Sequence, residues 1–91
     1  MSTQAIADPE DLERFARELK QFNDQLRGSM SSLQSRFGRL GDTWRDQEHQ
    51  KFAREFEQTM RVLHQFMGTA DAHIPFLQRK AQRIRDYLNQ R

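Results

Sequence analysis

The sequence predicts an all-α protein, an antiparallel two-helix hairpin that closes into a four-helix bundle as a dimer. Three observations carry this. Apolar residues recur every three or four positions along two long stretches, and capping signals and glycines fall between those stretches. The 91-residue chain holds only 4 Gly and 2 Pro, too few to turn an all-β protein at short regular spacing. A chain of this length makes one domain, residues 1–91, with a thin core. Its 35% hydrophobic and 31% charged residues suit long helices with one buried stripe.

Asp8-Pro9-Glu10-Asp11 starts the first helix. Asp8 is the N-cap, Pro9 stands where its missing N–H costs nothing, and the acids face the positive end of the dipole. The stripe then runs Leu12, Phe15, Leu19, Phe22, Leu26, Met30, Leu33, Phe37, Leu40, which predicts a helix over about residues 9–40. The companions of the leucines drift along the heptads as a nearly straight helix requires. Gly28 and the serines at 29, 31, 32 and 35 weaken its middle without breaking the phase.

The turn falls over about residues 38–43, with Gly38 or Gly41 as C-cap and Asp42 as the next N-cap. The second helix is expected over about 43–89. Its stripe begins at Trp44 and passes through Phe52, Phe56, Leu63, Phe66, Ala70, Leu77, Ala81, Ile84 and Leu88, with Met60, Met67 and Ile74 beside it. Pro75 predicts a kink near Gly68 to Pro75, or a short break with Asp71 helping to cap the last piece. A short connection makes the helices antiparallel neighbours. The acidic start of the first then lies beside the basic end of the second (Arg79, Lys80, Arg83, Arg85, Arg91).

No catalytic, cofactor or metal residues are predicted. There is no cysteine, and His49, His64 and His73 are never three or four apart, so the helical metal pair is missing. Glu55 and Glu57 point to different sides of a helix. The formal charge of +2 is too weak to imply nucleic acid, and the basic C-terminal stretch is first explained by the helix dipole. No run of about 18 apolar residues predicts a membrane span, and Met1 to Asp8 predicts no general signal peptide. Export would need a route for leaderless cargo; otherwise the protein is cytoplasmic.

Two helices share one narrow seam, so the wider second stripe predicts a further interface. Its centre is expected on Phe56, Met60, Leu63 and Met67, as leftover surface of the second helix. The partner is the chain itself or a paralogous helical hairpin.

Leu40-Gly-Asp-Thr-Trp44-Arg-Asp-Gln-Glu-His-Gln-Lys-Phe52 resembles the turn region of the WXG100 family, the small ESAT-6-like proteins of type VII secretion. The shared features are a length near 100, a tryptophan at the helical turn, a leucine four before it and an aromatic eight after it. The resemblance implies a turn motif of Gly41, Trp44, Arg45, Asp46 and Phe52, and a hairpin that dimerises head to tail. For function it implies a secreted substrate or adaptor of a type VII system, with a secretion ATPase as a further partner. Two positions depart from the family pattern. Trp44-Arg45-Asp46 stands for Trp-x-Gly, and Tyr87 is followed four residues later by Arg91, where the family's export signal has an acid. The rival reading is a cytosolic helical chaperone or scaffold subunit that binds another helical protein.

Overall fold

A computed structural model describes residues 7–90 of the chain. Helix α1 spans Pro9–Leu40 and helix α2 spans Gln47–Asn89. They lie antiparallel in a rod of 69 × 18 × 16 Å. At 1.5 Å per residue, α2 with 43 residues outruns α1 with 32 by about 16 Å. The short connection holds the turn ends level, so the overhang lies at the open end, and Tyr87 and Leu88 stand exposed there.

Asp8 caps α1, its carboxylate accepting the Glu10 N–H at 2.9 Å, with Pro9 in the first turn. Gly41 is the C-cap of α1, without the left-handed backbone common at such glycines. Gly41 has φ −63°, and no described residue has positive φ. The chain instead tightens through i→i−3 bonds: Gly41 N–H to the Gly38 carbonyl, Asp42 to Arg39 and Thr43 to Leu40, at 3.0–3.3 Å. The Leu40 carbonyl also accepts from Trp44 N–H at 3.0 Å. These bonds hold residues 42–44 in the turn, so Asp42 does not cap α2. Asp46 does, accepting the His49 N–H at 2.9 Å, and α2 begins four residues later than the sequence suggests.

No break interrupts α2. Pro75 lies inside it, and Asp71, expected to help cap a last piece, turns its carboxylate to α1 instead. It accepts from Asn23 Nδ2 at 2.9 Å and from Arg27 Nη2 at 3.4 Å.

The core is one seam. On α1 it is built from Ala16, Asn23 and Met30, every seventh residue, with Leu26 packed beside them. On α2 it centres on Met60, Met67, Ala70 and Ala81. Met30, Met60 and Met67 form a cluster with Leu26, Phe56 and Leu63. Toward the open end the buried residues are alanines, Ala16 and Ala81, which let the backbones approach closely.

Candidate functional site

Two surfaces stand out on this rod: the aromatic turn end and one uncovered apolar side.

The turn end is held by Phe37 of α1. The Phe37 ring stacks on His49 at 5.4 Å and 8° and packs on Phe52 at 5.7 Å and on Phe56 at 4.7 Å. Trp44 meets His49 edge-on at 5.0 Å and 80° and Phe52 at 5.8 Å. His49 therefore lies on Phe37, and Trp44 forms a half-buried outer layer. The His49 Nε2 is buried with no hydrogen-bond partner. A Cβ on Gly41 would meet the Gly38 carbonyl oxygen at 3.3 Å and His49 Nε2 at 3.9 Å, so the smallest side chain fits this corner best. Arg45 Nε donates to the Gly41 carbonyl at 3.1 Å. The five turn positions thus have separate jobs: Gly41 gives room, Arg45 ties the loop, Asp46 caps, and Trp44 and Phe52 offer aromatic surface. Glu48, Lys51 and Glu55 border those two rings in a shallow cleft.

The second surface lies elsewhere than the sequence suggests. Met60 and Met67 are only 5% and 3% exposed in the single chain, and Phe56 and Leu63 pack against them. These four residues fill the intramolecular seam. The reason is the phase of α1: it turns Ala16, Asn23 and Met30 inward, and Met30 packs with the two methionines of α2 in the seam. What remains outside is a row of large apolar residues on α1, Phe15, Phe22, Leu33 and Leu40, each 42–54% exposed. They are spaced by nearly whole helical turns and so share one side. Val62 and Phe66 of α2 are exposed to a similar degree. Phe22 and Phe66 touch edge-on at 6.0 Å and 85°, which puts the two rows on the same side of the hairpin. Scattered exposed apolar residues are ordinary, but an aligned row across two helices is the pattern of a contact surface.

Residues on the i±3 and i±4 positions neighbour these rows. Asp11 and Glu18 flank Phe15, and Arg36 lies between Leu33 and Leu40. On α2, Glu48 and Glu55 flank Phe52, and Arg79 and Lys80 follow Phe76. Helix α1 is therefore acidic at one end of its exposed row and basic at the other, while α2 carries acids beside the exposed Phe52 near the turn and bases beside the exposed Phe76 toward the open end.

Polar bonds tie the helices together in two places. In mid-seam, Asn23 is 1% exposed, and its Nδ2 donates to the Met67 carbonyl at 3.2 Å and to Asp71. Its Oδ1 is buried without a partner, a cost of about 1–3 kcal/mol for such a group. At the open end, Arg85 pairs with Glu13, both side chains one-third exposed. The Arg85 hydrogen bond holds the Glu13 carboxyl below the ordinary value of 4.5, with desolvation working against it. Neither Asn23 nor His49 was legible as a site residue. A lone Asn within an apolar period signals little, and His49 gains its place only once the turn is lengthened to Asp46.

Among the described residues no group of three or more His, Asp or Glu could hold a metal ion, and no helix is long and apolar enough to cross a membrane.

The hairpin is similar to a solved structure of the secreted protein EsxB from Bacillus anthracis str. Sterne, in a glycine-to-alanine variant. The TM-score is 0.77 and the identity 24%, over 93% of this chain and 98% of that one. No curated protein matches the sequence significantly. The model of the family described as proteins of 100 residues with WXG matches residues 4–90. With nearly the whole chain matched and the hairpin and its turn tryptophan in place, this chain belongs to the WXG100 family of ESAT-6-like proteins of type VII secretion.

Proposed function

We propose that the protein is a type VII secretion substrate or adaptor that acts by protein–protein contact, without catalysis, as a head-to-tail dimer. The observation that carries this is the row Phe15, Phe22, Leu33, Leu40 beside Val62 and Phe66, left uncovered by the hairpin itself. Burying one large apolar side chain is worth about 1.5–3 kcal/mol, so a row of six is a strong drive to associate.

Charge supports a second copy as the partner. A two-fold axis across the rod lays α1 antiparallel on its copy. The acidic open end, Asp11 and Glu18, then faces the basic turn end of the copy at Arg36. The same operation brings the end of α2 that carries Glu48 and Glu55 level with the end of the copy's α2 that carries Arg79 and Lys80. A paralogous hairpin with the same pattern would fit the same face. Trp44 and Phe52 remain at the ends of such a bundle, in position for a further partner such as a secretion ATPase. Export is tested by comparing culture supernatant with cell lysate: protein confined to the lysate, while a known substrate of the same system is exported, rejects the secreted reading.

A cytosolic chaperone or scaffold subunit is the second reading, favoured by two departures from the family pattern. Asp46 occupies the place of the motif glycine, and Arg91, outside the described residues, that of the export-signal acid.

A further inference from the structure

We infer that Asn23 decides which side of α1 turns inward, and so holds Phe15, Phe22, Leu33 and Leu40 outside for a partner. The inference rests on reading that row as an interface.

Helix α1 carries two rows that could face α2, with Leu12, Leu19 and Leu26 between them. One is Ala16, Asn23, Met30, Phe37; the other is Phe15, Phe22, Leu33, Leu40. Burial of apolar area alone favours the second, since it has no polar member. The first row nevertheless faces α2. The hydrogen bonds explain the choice. Asn23 Nδ2 reaches two acceptors on α2, the Met67 carbonyl at 3.2 Å and Asp71 Oδ1 at 2.9 Å. Arg27 braces the other Asp71 oxygen at 3.4 Å. Because both neighbours of the amide nitrogen are acceptors, the amide has one workable orientation. Turning the phenylalanine row inward would carry Asn23 away from both.

The alanines make the same side sterically possible, since Ala16, Ala70 and Ala81 are all buried and small enough to sit in a narrow seam. They permit the arrangement; the amide selects it. Asn23 Oδ1 remains without a partner, so the residue gives up stability that a leucine in its place would supply. A buried polar group that fixes pairing at a cost in stability is a known device of helix seams.

The test uses Asn23→Leu, Asp71→Ala and Asp71→Asn, with NMR and sedimentation. Wild type should give one set of amide resonances and a ring contact between Phe22 and Phe66. Asn23→Leu should stay helical but show a second set, with new contacts from the Phe22 ring to the Met67 methyl, and self-association weakened at least tenfold. Asp71→Ala, which leaves every apolar seam residue in place, should do the same. Asp71→Asn keeps an acceptor oxygen and should keep the single set. One set of resonances with the wild-type Phe22–Phe66 contact in both Asn23→Leu and Asp71→Ala overturns the inference, as does loss of the helices in Asn23→Leu. A wild-type monomer whose Asn23→Leu variant still shows two sets upholds the role of Asn23 and overturns only the interface reading.

Discussion

Trp44 divides its indole between holding the turn and facing outward. It packs nearly perpendicular to His49 and tilted against Phe52, yet it is not fully buried. Truncating a fully buried aromatic costs about 3–5 kcal/mol. Trp44→Ala should therefore lower unfolding free energy by less, about 1–3 kcal/mol in urea titration, and leave a folded hairpin. If the folded variant loses an external partner that wild type binds, the outward half of the ring is the recognition surface. Glu13 makes a second residue-scale prediction. Its folded value is lowered by Arg85, so the pair stabilises the protein above pH 4.5 and this contribution is lost as pH falls through the folded value. Urea midpoints measured from pH 6 down to pH 3 should fall less steeply in Glu13→Gln than in wild type. Parallel curves would show that the pair contributes nothing.

At the scale of the helices, much was legible in the sequence, but the rotation of α1 and the start of α2 were not. Two helices, their antiparallel pairing and the start of α1 at Asp8 follow from periodicity and caps. The rotation of α1 does not follow from periodicity. Phe15 and Phe22 belong to the same broad stripe as Leu19 and Leu26, and hydrophobicity alone turns the largest side chains inward. The burial of Ala16 and Ala81 and the hydrogen bonds of the Asn23 amide exist only once the helices are paired. That is why Met60 and Met67 read as leftover surface and prove to be core. Met67→Ala should accordingly cost about 2–5 kcal/mol of unfolding free energy, measured under conditions where the chain is kept monomeric. The start of α2 was misplaced for a local reason: Asp42 and Asp46 are equally good caps in sequence, and the i→i−3 bonds of the turn reach only the first. The glycines give a prediction of opposite sign. A Cβ on Gly28 or Gly68 would meet no atom within 4 Å, so Gly28→Ala and Gly68→Ala should each stabilise their helix by roughly 0.5–1 kcal/mol. Thermal melts of the two variants check this.

The whole molecule is a slender rod with a seam on one side of each helix and an uncovered row on the next. A two-helix hairpin buries little area for its length, and in the dimer proposed above a second hairpin would cover the remaining large side chains. Charge runs along the rod in the sense that favours a reversed copy, acid to base from the open end of the α1 row to its turn end and base to acid in the same direction along α2. The turn motif then lies at both ends of the assembly, where Trp44 and Phe52 stay accessible. The most direct measurement is sedimentation equilibrium at micromolar concentration of wild type and of Phe22→Asp with Phe66→Asp. These two side chains are about half exposed, so the double variant should keep its helix content. The account predicts a dimer for wild type and a folded monomer for the variant. A wild-type monomer, or a variant that remains as dimeric as wild type, would contradict it.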